Sequence, residues 1–437
     1  MASAAEQLAA SINLSAFSKA TELKSRIWFT LAALVVYRLG TYIPIPGIDP
    51  AILHEIFSSK AGGILGMFDM FSGGALGRMT IFALNIMPYI SASIIIQLLT
   101  AVSPSLEALK KEGESGRKKL NQYTRFGTVG LAAVQSWGIA VGLEGMHAGG
   151  ASAVIDPGYF FRIVTMITLT GGTVFLMWLG EQITARGIGN GLALILFAGV
   201  AAEMPHAVAA LVEYIRQGML SAESVAVLAI LWVALVGLVV FVELARRRVP
   251  VEFASRKLGD RLLPAQSTHL SLKLNSAGLI PTVVAPWLYL LPLTVAGLVF
   301  DPTPPWLPAV YRLVQENHMG RVILISVAII ILTFIYTAFV VDPEPAADSL
   351  RKYGGAIPEI EPGEATAAHL DRVVSYTTCI GALYLAAVFL IPELLLTYGE
   401  APFYLGGATV LVVVCTVLDI ETQVRGRSLT EPGGVFS

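Results

Sequence analysis

The sequence predicts an all-α polytopic membrane protein with ten transmembrane helices in two pseudo-symmetric, inverted halves of five. Hydrophobic residues make up 55% of the chain and charged residues only 14%, and the mean hydropathy is +0.70. These values lie outside the usual range of soluble proteins. About ten stretches approach the roughly 20 apolar residues that a helix needs to cross a bilayer. Lys and Arg are concentrated in alternate loops, as is typical of multi-pass membrane proteins.

Ten apolar stretches are the candidate spans, five in each half. The first five are Ile27–Tyr42, Met79–Val102, Phe126–Leu143, Tyr159–Gly180 and Asn190–Ala202, of which the last is short. The second five are Ser224–Val242, Asn275–Phe300, Val322–Val341, Val373–Leu396 and Phe403–Leu418. Proline interrupts the second span at Pro88 and the seventh at Pro281, Pro286 and Pro292. Interrupted spans at similar positions of two halves are typical of transporters and channels built from inverted repeats.

The positive charges predict the orientation of the chain. If the N-terminus is cytoplasmic, the cytoplasmic segments hold 22 of the 29 Lys and Arg residues, in agreement with the positive-inside rule. Ten spans then return the C-terminus to the cytoplasm. The first 20 residues lack the charged start and apolar core of a cleavable signal peptide, so we expect the first span to be retained.

This topology divides the chain into five parts. We expect a cytoplasmic amphipathic segment (1–26), the first half (27–202), a periplasmic loop (203–223), the second half (224–424) and a cytoplasmic tail (425–437). The second half carries two long cytoplasmic loops, 243–274 and 342–372. Loops of this length, rich in basic residues and turn formers, often carry partner contacts.

The segment Ala61–Gly77 does not behave as a plain span. Its sequence, AGGILGMFDMFSGGALG, is apolar but too short and too rich in glycine to cross the bilayer alone. Non-helical backbone at membrane depth is tolerated where protein buries it or where it lines a cavity. A re-entrant element inside a funnel is therefore predicted, and an ordinary periplasmic loop is the alternative.

Motifs for covalent chemistry are scarce. Ser115–Lys118 has the spacing of a catalytic Ser-x-x-Lys motif but lacks the companion motifs. Gly187–Gly191 resembles a phosphate-binding turn only superficially, because no strand precedes it. Cys379 and Cys415 lie inside predicted spans, where small apolar side chains are the expected role. We therefore expect no enzyme activity, no cofactor, no metal site and no disulfide.

Several longer motifs carry a family likeness. They are Ile43–Asp49 (IPIPGID), Phe71–Leu76 (FSGGAL), Met87–Leu99 (MPYISASIIIQLL), Lys110–Arg117 (KKEGESGR), Phe175–Gly191 (FLMWLGEQITARGIGNG), Ala265–Leu270 (AQSTHL) and Pro402–Gly407 (PFYLGG). With these motifs the chain resembles the SecY family of bacterial protein-translocation channels, its proteobacterial members in particular. The likeness is dense to about Gly199 and patchier towards the end of the chain.

The resemblance implies a central hourglass pore in the inner membrane, with three sets of site residues. The waist is a ring of aliphatic side chains formed by Ile86, Ile90, Leu192, Leu196, Val283 and Val412. The plug that closes the pore from outside includes Ile64, Leu65, Met67, Phe68, Met70, Phe71, Ser72, Gly73 and Gly74. The lateral gate, between the second and seventh spans, includes Ser91, Ile94, Gln97, Gln135, Asn275, Ile280 and Pro281. Glycines on both sides of the Met/Phe-rich centre of the plug predict that it seats loosely.

The resemblance also implies partners. These are the SecE and SecG subunits, the SecA motor, the ribosome, secretory preproteins with their signal sequences, and membrane lipids, with no sequence-specific nucleic acid. SecA and the ribosome would contact the two long loops through Arg246, Arg247, Arg248, Arg256, Lys257, Arg261, Arg351 and Lys352, with Glu361 among them.

The sequence departs from the family pattern at a few positions. Glu361 stands where an arginine is usual, Asp260 replaces a basic residue, and Asn85 replaces a glycine just before the ring. Val341–Pro343 reads VDP where an Asn is expected before the proline, and the chain lacks a longer basic tail after Arg425. We expect Glu361 to weaken SecA docking, and Asn85 to make the closed channel leakier by holding water beside the ring.

Two other functions stay open on the sequence. One is a divergent SecY paralogue with an altered motor dependence. The other is a secondary transporter with inverted repeats, which should carry ionisable groups at mid-bilayer. Arg38, Arg162 and Glu181 lie near the ends of spans instead, and this disfavours the transporter.

Overall fold

Helices make up most of the described residues in the stretches predicted to cross the membrane. A computed structural model describes residues 21–53, 69–148, 151–218, 221–253, 256–258, 261–263, 266–288, 318–398 and 406–430. Its helices are α1 (Thr21–Gly40), α2 (Met87–Val102), α3 (Pro104–Lys111), α4 (Glu114–Glu144), α5 (Tyr159–Arg186), α6 (Gly191–Arg216), α7 (Ala222–Leu244), α8 (His318–Val340), α9 (Pro343–Tyr353), α10 (Glu364–Tyr398) and α11 (Gly407–Thr430). Residues 280–288 are helical as well.

The number and length of the helices fit a multi-pass membrane protein. Within the described residues, seven helices are long and apolar enough to cross a membrane, or eight if α2 and α3, which meet at a bend of 99°, form one span. Each of the ten predicted stretches coincides at least in part with a described helix. The prediction of an all-α polytopic fold is confirmed.

Several helices extend beyond the apolar stretch that predicted them. The helix predicted from Phe126 begins at Glu114, and an ion pair of 3.1 Å between Lys118 and Glu114 lies on this polar extension. Such i,i+4 pairs favour helix in water, where no apolar stretch is needed. Hydropathy therefore marks the apolar part of a helix and misses its polar ends.

The second and fifth spans differ from their predictions. Residues 79–86 form turns, and the helix begins only at Met87, so Pro88 lies in the first turn of α2 rather than interrupting a span. A proline costs little there because the first N–H groups of a helix have no intrahelical partner. The fifth helix does not stop near Ala202 but continues to Arg216 with Pro205 inside it, so residues 203–216 of the expected periplasmic loop are helical.

The chain forms two compact units. The first comprises residues 1–211 and 412–437, and the second comprises residues 212–411. The first unit therefore contains α1 to α5 and most of α6 and of α11. Within this unit, α4 packs against α2 and α5, and α1 packs against α5. Its largest buried side chains include Tyr37, Ile86, Leu176 and Ile195, which share one apolar cluster.

The second unit contains a small domain-like part made from the two long loops. Strands β3 (Arg246–Phe253) and β6 (Gln266–Lys273) pair antiparallel along their full length, and β7 (Gly355–Ala356) pairs with the end of β3. Val249 packs with residues of α9 and α10 in a separate apolar cluster. We call β3, β6, β7, α9 and the start of α10 the loop platform.

Two short hairpins complete the described strands. In the first unit, β1 (His147–Ala148) pairs with β2 (Ala151–Ser152) after the end of α4. In the second unit, β4 (Arg256–Leu258) pairs with β5 (Arg261–Leu263) within the first long loop. Each pairing is antiparallel.

Candidate functional site

The predicted plug is described from Asp69 onwards, where it turns back towards α2. Residues 69–72 form one helical turn, and turns follow as far as Ile86, apart from an isolated bridge between Thr80 and Pro44. Gly73 and Gly74 have φ angles of 67° and 76°, and Asn85 has a φ of 51°. Left-handed backbone of this kind is easiest for glycine and, among the other residues, for Asn and Asp.

Side chains from distant segments bind the carbonyl groups at the end of the plug helix. Asn85 Nδ2 donates to the Phe71 carbonyl at 2.7 Å. Tyr37 Oη of α1 donates to the Ser72 carbonyl at 3.1 Å. The last carbonyls of a helix lack intrahelical partners, and burial without partners is costly. These bonds therefore stabilise the end of the plug in a buried position.

The next carbonyl, that of Gly73, is bound by two arginines. Arg38 Nη1 and Arg78 Nη2 donate to it at 2.6 Å and 2.7 Å. Both guanidinium groups also lie over the ring of Tyr42, at 5.0 Å and 4.6 Å from its centroid. Hydrogen bonds from charged donors are stronger than those from neutral ones. We call the carbonyls of Phe71, Ser72 and Gly73 the plug-end carbonyls.

Asp69 closes the plug segment on itself. Its Oδ1 accepts from the Gly77 amide at 2.6 Å, and its carbonyl accepts from the Gly74 amide at 2.8 Å. Burial raises the pKa of the Asp69 carboxyl, while the Gly77 hydrogen bond and the charge of Arg78 act in the opposite direction. The segment from 69 to 77 is thus a compact loop with its own internal bonds.

Helix α6 lies directly against this loop. A Cβ added at Gly199 would lie 2.3 Å from the Phe71 carbonyl oxygen, so only glycine permits this approach. One turn further along, Glu203 Oε1 is buried and has no hydrogen-bond partner among the described residues. A Cβ added at Gly74 would lie 2.6 Å from that oxygen. The plug segment and α6 therefore meet backbone to backbone.

These contacts correct two expectations. The described part of the plug is not loosely seated, because Met70, Phe71 and Ser72 are all buried and their segment is held by the bonds above. Asn85 does not expose a free amide to water, because both polar atoms of its buried side chain bond to backbone. The other predicted plug residues, Ile64, Leu65, Met67 and Phe68, lie outside the described residues.

The predicted ring residues are buried or partly buried side chains in both units. In the first unit, Ile86 belongs to the apolar cluster, and Ile90 and Leu192 pack against it. Leu196 and Val412 are buried in the same unit. Val283 is buried in the second unit. The structure thus brings Ile86, Ile90 and Leu192 together around one cluster.

The predicted gate residues of the first unit lie on α2 and α4, which pack against each other. Ser91 and Ile94 are buried on α2, and Gln97 donates to Ser93 Oγ at 3.2 Å. Gln135 of α4 is buried, and neither polar atom of its amide has a partner among the described residues. A buried amide without a partner destabilises the state in which it is found.

The gate residues of the second unit are organised around Asn275. Its Nδ2 donates to Glu243 Oε1 at 2.7 Å, and its Oδ1 accepts from the Gly278 amide at 3.1 Å. Pro281 is buried, and Ile280 is partly buried at the start of the following helix. Asn275 therefore stabilises the turn that begins this helix.

The basic residues predicted to bind SecA or the ribosome lie on or beside the loop platform. Arg246, Arg247 and Arg248 of β3 are exposed, and so are Arg351 and Lys352 of α9. Arg256, Lys257 and Arg261 lie in the β4–β5 hairpin, and Asp260 lies outside the described residues. Glu361 is exposed, and it forms no ion pair within the described part of the chain.

Sequence reasoning missed the residues that hold the plug. Tyr37, Arg38 and Arg78 were not predicted as site residues, although all three contact the plug-end carbonyls. A signal was present for the two arginines, because both lie among the few cations predicted to be outside the cytoplasm. Tyr37 is an ordinary apolar-span residue by sequence.

Comparisons with known proteins agree with this architecture. Residues 80–421 match the family model SecY. The chain is 49% identical over 405 residues to protein translocase subunit SecY of Escherichia coli (strain K12), covering 92% of this chain and 91% of that relative. It is 47% identical over 415 residues to the Vibrio cholerae subunit of the same name, covering 94% and 93%.

Solved structures show the same fold at low identity. One described as the structure of a protein conducting channel matches with a TM-score of 0.64 and 18% identity over 95% of both chains. Sec61 in the canine ribosome–channel complex matches with a TM-score of 0.59 and 18% identity, again over 95% of both chains.

Proposed function

Since this chain belongs to the SecY family, we propose that it is the central protein-conducting channel of a bacterial Sec translocon. Unfolded preproteins pass through its pore, and transmembrane segments leave it sideways into lipid. The observation that carries the proposal is the junction at residues 85 and 86. Asn85 binds the Phe71 carbonyl of the predicted plug, and the next residue, Ile86, is the first of the predicted ring residues and is buried in the apolar cluster.

The chemistry of the ring suits a channel for many substrates. Ile86, Ile90 and Leu192 carry no donors or acceptors on their side chains, so a passing peptide meets no fixed polar partner. A narrow apolar constriction also loses water and blocks ions when no peptide fills it. Aliphatic side chains at the waist therefore support both passage of varied sequences and closure at rest.

The predicted gate residues are proposed to let transmembrane segments leave the channel sideways. Ser91 lies on α2, and Asn275 stabilises the turn before the helix that begins at residue 280. Hydrogen bonds between membrane helices contribute about 0.6 kcal/mol on average. A few such bonds hold a gate closed and still allow a signal sequence to displace them.

Partners are proposed for the loop platform and for the membrane part. The exposed basic residues of β3 and α9 favour partners with acidic or phosphate groups, and the SecA motor and the ribosome are the proposed ones. The Sec61 relative is found in a ribosome–channel complex. SecE and SecG are the proposed membrane subunits. The inner membrane is the proposed location, with both termini in the cytoplasm.

Reconstitution tests the proposed function. The chain would be purified with SecE and SecG, placed in proteoliposomes, and supplied with SecA, ATP and a preprotein. We expect the preprotein to become protected from added protease, and we expect little protection for the same preprotein with a charged residue in its signal sequence. Protection no greater than in liposomes lacking this chain would contradict the proposal.

A further inference from the structure

Asn85 occupies an unusual position between the plug and the ring. It is 3% exposed, and its φ of 51° is left-handed. Its Nδ2 donates to the Phe71 carbonyl at 2.7 Å, and its Oδ1 accepts from the Ile86 amide at 2.9 Å. Both ends of one carboxamide are therefore used, one towards the plug and one towards the first residue of the ring.

Chemistry determines which way this amide faces. A backbone N–H only donates, and a backbone carbonyl only accepts. The side-chain oxygen must therefore face Ile86, and the side-chain nitrogen must face Phe71. The bond to Ile86 also stabilises the left-handed backbone, since Asn tolerates this region partly through local hydrogen bonds. The same bond directs the donor at the plug.

The Phe71 carbonyl is enclosed on its other side by α6. An added Cβ at Gly199 would lie 2.3 Å from this oxygen, which leaves no space for a water molecule on that side. If Asn85 moves away while the plug stays, the carbonyl becomes buried without its side-chain donor, which is unfavourable. The closed plug and the present position of Asn85 thus stabilise each other.

We propose that Asn85 is a plug-positioning residue that couples release of the plug to movement at the start of α2. Ile86 is the N-cap of α2, and Asn85 immediately precedes it. A displacement of this end of α2 withdraws the Nδ2 donor from Phe71, and the plug then loses its bond beside the ring. This inference rests on the proposed function, because it assigns the way in which that channel is kept closed.

Two substitutions separate the donor from the backbone conformation. Asn85→Asp keeps the shape and the acceptor for Ile86 but replaces the donor with an oxygen that repels the Phe71 carbonyl. Asn85→Gly suits the positive φ and removes the side chain. Asn121→Asp is the matched control, because Asn121 is exposed on α4 and gains the same charge far along the chain from the plug.

Hydrogen exchange measures directly how well the backbone amides of the plug segment are protected. For purified complex in nanodiscs, we expect amides in residues 69–77 to exchange roughly tenfold faster in both Asn85 variants than in the native protein, as loss of one buried hydrogen bond implies. Exchange in α5 and the thermal unfolding midpoint should stay as in the native protein. Asn121→Asp should leave all of these measurements unchanged.

Acidification supplies a rescue specific to the donor. A protonated carboxyl can donate to Phe71, so the ion conductance of the closed Asn85→Asp channel in planar bilayers should fall towards the native value as the pH is lowered. Neighbouring titratable groups, Asp69, Glu203 and Tyr37, and the charges of Arg38 and Arg78 are the same in all variants. The native and Asn85→Gly channels therefore report any effect of those groups.

The outcomes decide between the inference and the proposed function. Faster exchange at 69–77 in both variants, with acid rescue only in Asn85→Asp, supports the inference. The inference is overturned if hydrogen exchange at residues 69–77 in Asn85→Gly equals that of the native protein. It is also overturned if the ion conductance of the closed Asn85→Gly channel is equal to or below the native value. If the native complex never translocates an added preprotein, the proposed function fails. The comparison of hydrogen exchange at residues 69–77 still decides whether Asn85 positions this segment.

Discussion

At the scale of single residues, the predicted plug segment is held by side-chain donors that reach its backbone carbonyls. The plug-end carbonyls are bound by side chains from α1 and from residues 78–85, up to 35 positions away in the chain. Asp342, a departure from the family pattern, also has a local role, because its side chain accepts from the Glu344 amide and caps α9. Asp is as good an N-cap as Asn.

Tyr37→Phe should loosen the plug. The variant keeps the ring that stacks on Phe82 and loses the donor to the Ser72 carbonyl, so the closed plug should lose about 1 kcal/mol of stabilisation. Export of a reporter with a defective signal sequence should rise. Tyr123→Phe, at an exposed tyrosine of α4, is the control, and an equal rise in both variants would contradict the role of the hydroxyl.

Glu361→Arg should tighten SecA docking. Glu361 is exposed and forms no ion pair in the described part of the chain, so the substitution leaves the loop platform intact. Replacing a repulsion by an attraction should raise SecA affinity and translocation ATPase activity, more at low than at physiological salt because exposed charges are screened.

Asp348→Arg makes the same change of charge at an exposed position of α9. An equal gain in both variants would mean that the net charge of the platform, rather than position 361, sets the affinity. No gain with the motor of the same organism would mean that Glu361 does not limit docking.

At the scale of elements, α6 is the surface on which the plug rests. Gly199 permits the contact with Phe71, and Glu203 lies beside Gly74 one turn later. The start of α2 is equally important, because residues 79–86 form turns and place Asn85 and Ile86 beside the plug segment. A continuous helix from Met79 would not produce this geometry.

Gly199→Ala should favour the open plug. The added methyl group would lie 2.3 Å from the Phe71 carbonyl oxygen, and overpacking of this kind typically costs about 1–3 kcal/mol. We expect increased export of reporters with defective signal sequences and faster hydrogen exchange at 69–77.

Gly171→Ala in α5 is the matched control, because an added Cβ there meets no atom within 4 Å. It should leave export unchanged and should stabilise the helix by up to about 1 kcal/mol. If the Gly199→Ala variant rejects defective signal sequences as strictly as the native protein does, the plug and α6 separate without a cost in free energy.

At the scale of the whole molecule, the chain forms two compact units, and the two long loops of the second unit fold together. Val249, Ala347, Ile357 and Leu370 are buried in the core of the loop platform although they come from separate loops. The exposed arginines of β3 are thus presented by a folded surface, which favours a docking role over that of a flexible tether.

Labelling tests the proposed orientation of the chain. In a background with Cys379→Ser and Cys415→Ser, Ala151→Cys in the β1–β2 hairpin should react with an impermeant maleimide added outside intact cells. Tyr353→Cys on the loop platform, at a side chain that is 67% exposed, should react only after the membrane is permeabilised. The reverse pattern would invert the proposed topology.

The sequence by itself determined the membrane class, the approximate positions of the described spanning helices and the family. Apolar length is a local property of the chain, and the family motifs are contiguous runs, so each is readable without knowing what packs against it. The sequence did not locate the start of α2 or the end of α6, because hydropathy does not distinguish a turn from a helix in these segments.

Only the tertiary structure decided how the plug is held and what Asn85 does. Tyr37 and Ser72 are 35 positions apart, and the Phe71 carbonyl becomes an acceptor only because folding buries it between Asn85 and Gly199. By composition Asn85 is a polar residue that binds water, whereas in the fold its amide has two backbone partners. The physical reason is that a hydrogen bond depends on distance and direction between groups that the chain order does not bring together.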